Sequence, residues 1–190
     1  MTLHDEILSF KPFNEQEEKD KQKLLSALEN DPDCFNRSTQ AHFTCSAWAV
    51  DKERENTAMV FHNIYKSWSW IGGHADGCKD LQAVALRELQ EETGITHARI
   101  VPWKKAPESP IFSLEVLTVD GHEKRGQYIS SHLHLNVTYL VEADKLEPLR
   151  KKPDENSDVK WVPLKDVISL SDEPWIREHV YAKLLAKLHR

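Results

Sequence analysis

The segment over residues 80–94, DLQAVALRELQEETG, constrains the fold most because it contains a helix together with the signals that delimit it. Asp80 is a residue type that accepts hydrogen bonds from the first free amides of a helix. Gly94 suits the left-handed conformation in which many helices end. We therefore predict a helix that runs from Asp80 to Thr93 and ends at Gly94.

Three glutamates on this helix share a face with its apolar residues. At about 100° per residue, Glu88, Glu91 and Glu92 fall within the same arc as Leu81 and Val84. A solvated acidic face would lie opposite the apolar stripe, whereas these acids continue it. Carboxylates this close repel one another unless a cation is present, and hard oxygen ligands suit Mg²⁺ or Mn²⁺.

A second interpretation of the same helix requires no metal. Arg87 and Glu91 are four residues apart, which is the spacing of ion pairs that stabilise exposed charged helices. Helix geometry alone is compatible with a metal site and with a charged surface helix.

The remaining chain predicts strands between helices. A charged helix over residues 14–29 begins at Asn14, and an amphipathic helix follows Pro174. The predicted strands cover residues 41–50, 57–65, 97–103, 111–118, 131–142 and 158–162. This order favours an α/β fold with helices covering a mixed sheet, divided into an N-terminal helical extension over residues 1–38 and a main domain over residues 39–190.

Composition restricts the partners and the compartment. The net charge of −6 argues against a broad DNA-binding or membrane-binding surface, because such surfaces need excess Lys and Arg. Three cysteines without metal-type spacing fit a reducing environment, and the first twenty residues lack the layout of a signal peptide. The expected location is therefore the cytoplasm, and the expected partner is a small molecule.

The stretch over residues 73–95, GHADGCKDLQAVALRELQEETGI, resembles the signature box of the Nudix hydrolases. That box reads Gly, five residues, Glu, seven residues, then Arg-Glu-aliphatic-any-Glu-Glu-any-Gly-aliphatic. Eight of its nine defined positions match, namely Gly73, Arg87, Glu88, Leu89, Glu91, Glu92, Gly94 and Ile95. The one departure is Lys79, which stands where the box has its first glutamate.

The resemblance implies an α/β/α sandwich and Mg²⁺-dependent hydrolysis of a diphosphate linkage in a nucleotide-type substrate. The glutamates matching Glu88, Glu91 and Glu92 bind the metal in that family, where the carbonyl matching Gly73 contributes. Pro110 lies where ADP-ribose-cleaving members carry a proline, and a nucleoside triphosphate is a comparable alternative. Many proteins of this fold are dimers, so a homodimer is also considered.

In the family, the glutamate replaced by Lys79 helps to brace the arginine of the box. We hypothesise that Asp76 or Asp80 braces Arg87 here, because these aspartates lie on either side of Lys79. The glutamates of the metal site are intact, so catalysis is still expected.

Further residues are candidates for catalysis and substrate binding. The general base is Glu91, Glu92 or Glu155, the last because family members often recruit a carboxylate from a late loop. The candidates for substrate contacts are Arg125, His74 and Trp70. His132 and His134 point to one side of their strand, but a histidine metal site is not predicted because the sequence offers no evident third ligand.

Two other functions are compatible with this fold. A non-catalytic Nudix-type module that senses a nucleotide would be expected to have lost the metal-binding glutamates, which are present here. Isopentenyl diphosphate isomerase shares the fold, and His42 and Cys45 invite that comparison, but its cysteine-containing active-site motif is absent.

Overall fold

A computed structural model describes residues 1–104, 109–124 and 126–189. Eight strands form one sheet: β1 (Ala41–Val50), β2 (Asn56–His62), β3 (Ser67–Ser69), β4 (Ile71–His74), β5 (Ala98–Ile100), β6 (Ile111–Val119), β9 (His132–Ala143) and β10 (Asn156–Pro163). A separate hairpin consists of β7 (His122–Lys124) and β8 (Gln127–Ile129). The helices are α1 (Leu3–Ser9), α2 (Glu15–Asn30), α3 (Leu81–Thr93), α4 (Val167–Leu170) and α5 (Ala182–Leu188).

The sheet is mixed, and β1 lies near its centre. The main path runs β10-β2-β1-β9-β5, with β3 paired to β2, β4 to β1 and β6 to β9. The pairing of β1 with β9 is parallel, whereas the other pairings are antiparallel. The predicted mixed sheet is therefore confirmed.

Side chains of β1 alternate between two hydrophobic clusters on opposite faces of the sheet. Phe43 and Cys45 pack in the cluster that includes α3 and the N-terminal helices. Trp48 and Val50 pack in the cluster that includes the C-terminal helix. A strand buried on both faces requires a layer on each side. This arrangement confirms the predicted α/β/α sandwich.

The predicted helix boundaries are confirmed where capping residues define them. The Asn14 side chain accepts a hydrogen bond from the backbone N–H of Glu17 at 3.0 Å. Asp80 accepts one from the backbone N–H of Ala83 at 3.0 Å, and Gly94 ends α3 with a φ of 79°. These caps depend on nearby residues only, which is why the sequence predicts them.

Elsewhere the elements differ from the prediction. The strand predicted over residues 57–65 ends at His62, because the chain turns there and Lys66 adopts a φ of 54° before β3. The C-terminal helix contains a π-helical stretch, Ile176–Tyr181, within its predicted span. In the part of the chain that the structure describes, no helix is long and apolar enough to cross a membrane.

A buried charge network fastens the N-terminal helices to the rest of the protein. Glu17 on α2 is fully buried and lies 2.5 Å from the Nζ of Lys187 and 3.4 Å from that of Lys183, both on α5. The hydroxyl of Ser113 on β6 donates to the same carboxylate at 2.7 Å. Burial alone would raise the pKa of Glu17, but the two lysines outweigh it and lower that pKa. The extension thus shares its packing with the main domain, and the boundary at residue 38 stays a prediction.

We expect Glu17→Ala to lower the free energy of unfolding by about 3–5 kcal/mol, because it leaves the buried Lys187 without its carboxylate partner, whereas Lys183 keeps Glu115 at 3.0 Å. Glu18→Ala is the matched control, since Glu18 is the next residue of the same helix and is exposed. Urea denaturation of both variants measures the difference. Equal losses in the two variants would contradict a stabilising role for the buried network.

Candidate active site

The carboxylates of α3 lie on the side of the helix that packs against the sheet. Glu88 and Glu92 are only 8% and 3% exposed, whereas the Glu91 side chain is 43% exposed. Leu81 and Leu89 of the same helix are buried in the core. The predicted continuation of the apolar face by acids holds for Glu88 and Glu92, and Glu91 lies at the edge of that face.

The glycines of β4 allow the sheet backbone to approach these carboxylates closely. The backbone N–H of Gly72 donates to the Oε1 of Glu92 at 3.0 Å. A methyl group added at Gly73 would lie 2.4 Å from the carboxyl carbon of Glu88, a distance that side chains do not tolerate. Glycine at position 73 is therefore required for the Glu88 carboxylate to reach its place against the strand.

Burial makes the ionised form of these glutamates costly. It raises the pKa of Glu88, and it raises the pKa of Glu92 to about 8, although the Gly72 N–H opposes this and the neighbouring Glu88 adds to it. Partly buried carboxylates that repel one another favour a bound cation, which would lower their pKa values. The donor set is all oxygen and suits Mg²⁺ or Mn²⁺.

Glu155 lies close to these glutamates, and a lysine joins it to them. The Nζ of Lys152 donates to Glu91 Oε2 at 2.9 Å and lies 3.1 Å from Glu155 Oε2. Although burial opposes it, the contacts with Glu91 and Glu155 raise the pKa of Lys152. The sequence does not predict a role for Lys152, because contact between residues 91 and 152 depends on tertiary packing rather than on spacing.

One cavity of about 760 Å³ adjoins the site and is large enough for a nucleotide-sized ligand. Its lining includes the predicted residues Gly73, Glu88, Glu91, Glu92, Glu155, His74 and Trp70. Trp70 also packs edge-to-face on Tyr181 at 5.9 Å, so its ring belongs both to the core and to the cavity wall. Arg125 lies outside the described residues.

The family of the protein follows from comparison with known sequences. The model of the NUDIX domain matches residues 46–184, which is most of the chain. The chain belongs to the Nudix family. The predicted class of enzyme, a Nudix-type pyrophosphohydrolase, agrees with this membership. No curated protein sequence matches the chain.

Solved structures of Nudix proteins share the fold. An Ap4A hydrolase from C. elegans is 20% identical with a TM-score of 0.51, and the match covers 77% of this chain and 94% of that one. A Nudix-family hydrolase from Clostridium perfringens is 19% identical with a TM-score of 0.55, covering 78% of this chain and 96% of that one. Identities this low support the fold and leave the substrate open.

Arg87, the arginine of the Nudix box, is held by the glutamates that follow it. Its Nη2 donates to Glu88 Oε1 at 2.9 Å, and its Nε lies 3.7 Å from Glu91 Oε1. The ion pair expected for a charged helix is thus present within the candidate metal site. A guanidinium between two carboxylates fixes their orientation and offsets part of their repulsion.

The two aspartates beside Lys79 have other partners. Asp76 pairs with Arg37, and Asp80 caps α3. These contacts do not support the hypothesis that Asp76 or Asp80 braces Arg87. The ammonium group of Lys79 lies 6.0 Å from the ring centroid of Phe35.

The structure also brings together four histidines that the sequence analysis did not connect. His42 and His74 lie beside His132 and His134. The ring centroids of neighbouring histidines are 4.9 to 5.2 Å apart. His42 and His74 are therefore potential ligands beside His132 and His134 that the sequence spacing does not reveal. The additional histidines come from other strands, and their proximity depends on the register of the sheet.

We expect Lys152→Met to bind Mn²⁺ about two- to five-fold more tightly, because the substitution removes a positive charge that occupies Glu91 and Glu155. Lys151→Met is the matched control, since the Nζ of Lys151 bonds to the carbonyl of Ser157 instead. Electron paramagnetic resonance of free Mn²⁺ gives both affinities. Unchanged or weaker binding in Lys152→Met would show that Lys152 does not compete with the cation.

Proposed function

We propose that this Nudix protein is a Mg²⁺-dependent hydrolase that cleaves the diphosphate linkage of a nucleotide-type substrate. The observation that carries the proposal is that Glu88, Glu91 and Glu92 line one cavity together with Gly73, where Glu88 lies directly against the glycine. The substrates that we consider are an ADP-ribose-like nucleotide sugar and a nucleoside triphosphate. Because the sequence identity to the solved structures is low, both substrate classes are included in the test.

The residues present fit the metal that the family implies. Glu88, Glu91 and Glu92 would hold it, together with the carbonyl of Gly73, and a donor set made only of oxygens suits Mg²⁺ or Mn²⁺. When bound, such a cation neutralises diphosphate charge and makes a water more acidic. The Gly72 N–H and Arg87 orient Glu92 and Glu88 before any ligand enters.

The reaction that we propose is attack of water on phosphorus. A new phosphorus–oxygen bond forms, the bridging phosphorus–oxygen bond breaks, and the leaving phosphate oxygen departs in line. A carboxylate accepts the proton of the water. Glu91, Glu92 and Glu155 are the candidates. We favour Glu155 because Glu92 already accepts the Gly72 N–H and Glu91 pairs with both Arg87 and Lys152, whereas Glu155 pairs with Lys152 alone among the described residues.

Aromatic side chains support the assignment of a nucleotide-type substrate. Trp70 and Tyr65 line the same cavity as the glutamates, and the Tyr65 ring is 43% exposed and stacks on His62 at 4.4 Å. Exposed aromatic faces of this kind accept a nucleobase by stacking. We propose that His74, which lines the cavity, contacts phosphate, and Arg125 keeps its proposed phosphate contact from the sequence.

The first test is hydrolysis over a panel of nucleoside diphosphate derivatives and nucleoside triphosphates with Mg²⁺, which includes diadenosine tetraphosphate because one structural neighbour is an Ap4A hydrolase. We expect Glu92→Gln to lower kcat at least about 10²-fold, since glutamine cannot supply the ionised oxygen. Glu142→Gln is the control, because Glu142 pairs with Arg99 at the edge of the sheet.

The position of attack is measured in the same assay with H₂¹⁸O, which labels the product whose phosphorus is attacked. Activity that is equal in Glu92→Gln and Glu142→Gln would contradict the proposed site. A panel without turnover, combined with tight nucleotide binding, would favour the sensor module instead.

The assignment of the base is tested separately. We expect Glu155→Gln to lower kcat by about 10²–10⁴-fold with little change in Mn²⁺ affinity, as for loss of a general base. Asp158→Asn is the matched control, because Asp158 is three residues further along the chain and is exposed. A loss below about 10-fold in Glu155→Gln would exclude Glu155 as the base and leave Glu91 and Glu92.

The proposal also covers the location and the partners of the enzyme. All three cysteines are free thiols, which is compatible with the cytoplasmic location that the sequence predicts. We propose a small-molecule nucleotide as the partner, and we expect no DNA-binding or membrane-binding surface. The homodimer stays a prediction that light scattering of the purified chain would test.

A further inference from the structure

Four imidazoles from three strands converge beside the glutamate site. Each of His42, His74, His132 and His134 offers a ring nitrogen, and these four nitrogens all lie within 4.8 Å of one another. The sheet produces this convergence: parallel pairing of β1 and β9 places His42 opposite His134, and antiparallel pairing of β1 and β4 places Thr44 opposite His74. His132 lies two residues from His134 and therefore on the same face of β9.

Two of the histidines are held in the tautomer that a metal ligand needs. The Nδ1 of His42 lies 3.0 Å from the carbonyl oxygen of Thr39, and the Nδ1 of His132 lies 2.9 Å from that of Ser130. A carbonyl only accepts hydrogen bonds, so each Nδ1 carries the proton and each Nε2 presents a lone pair. Metal-binding histidines are typically oriented in this way by a backbone carbonyl.

The Nε2 lone pair of His42 accepts no hydrogen bond within the described part of the chain. His42 is 1% exposed, and its Nε2 is buried without a hydrogen-bond partner among residues 1–104, 109–124 and 126–189. A buried polar atom without a partner costs free energy, and native proteins seldom contain one without a reason. Because the Nδ1 of His42 faces the Thr39 carbonyl, Nε2 is the nitrogen that His42 can offer to a ligand at the centre of the cluster, and such a ligand would satisfy it.

One pair of nitrogens in the cluster already has the spacing of two ligands of a tetrahedral cation. The Nε2 atoms of His132 and His134 are 3.2 Å apart. With metal–nitrogen distances of about 2.0–2.1 Å, two ligands of a tetrahedral Zn²⁺ lie about 3.4 Å apart.

We propose that His42, His74, His132 and His134 form a second metal site that binds one Zn²⁺ or a transition-metal ion of similar preference. Imidazole nitrogens suit Zn²⁺, Cu²⁺ and Ni²⁺, whereas the carboxylates of α3 suit Mg²⁺. The two sites adjoin, since His74 directly follows Gly73. Four neutral ligands leave the ion with its full charge beside the cavity. Arg37, whose charge acts on His42 and His134, is itself paired with Asp76.

The test uses the full chain, stripped with a chelator and titrated with Zn²⁺ by calorimetry and with Co²⁺ by visible absorption. We expect one Zn²⁺ per chain and a tetrahedral Co²⁺ spectrum. His132→Gln/His134→Gln should bind at least about 100-fold more weakly. The matched control is His97→Gln/His179→Gln, which removes the same number of imidazoles from exposed positions.

Three further measurements distinguish loss of the histidine site from loss of the fold and from Zn²⁺ binding at the glutamates. Circular dichroism checks the fold of each variant, and the single variant His132→Gln, at a partly exposed position, serves if the double variant fails to fold. Zn²⁺ bound equally by the cluster variant and its control, or not bound by the wild type, would overturn the proposal. Loss of Zn²⁺ binding in the double variant Glu88→Gln/Glu92→Gln would also overturn the proposal, because it would show that the glutamates bind the ion. Binding is measured without substrate, so this result is independent of the proposed hydrolysis.

Discussion

The parallel pairing of β1 with β9 determines where the chemistry of this protein is located. It extends from Ala41 opposite Leu133 to Val50 opposite Glu142, at the centre of the sheet. Because β1 also pairs with β4, it holds the glycines of β4 against α3. At the same end of β1, the neighbouring strand β9 contributes its histidines. A shift of register by one residue would turn these side chains to the other face of the sheet.

Polar side chains in the sheet are consistent with this dependence on register. The hydroxyls of Thr44 and Ser46 donate to the Asn136 side-chain oxygen at 3.1 and 3.0 Å, and the Asn136 amide donates to Glu115 at 2.9 Å. These groups are buried, and a buried amide without partners would cost free energy. A one-residue shift of β1 against β9 would turn Asn136 away from Thr44 and Ser46, so the network favours the observed register.

The sequence predicts the parts of the protein that depend on nearby residues. The start of α3 at Asp80, its end at Gly94 and the placement of Glu88 on the apolar face all follow from helix geometry. Contacts between distant residues are different, because no local pattern encodes them. The ion pair of Lys152 with Glu91, the approach of His42 to His134 and the π-helical stretch within the C-terminal helix were therefore not predicted.

The replacement of the first box glutamate by Lys79 is compatible with an intact site for a structural reason. Arg87 already has two carboxylates within reach, Glu88 and Glu91, and both belong to its own helix. Their positions relative to Arg87 are set by the helix, so the orientation of this group does not require a residue from the preceding loop. Lys79 can then lie near Phe35 without leaving the arginine unpaired. Arg87 and the two glutamates thus fix one another's orientation, and the site depends on α3 and on the glycines of β4.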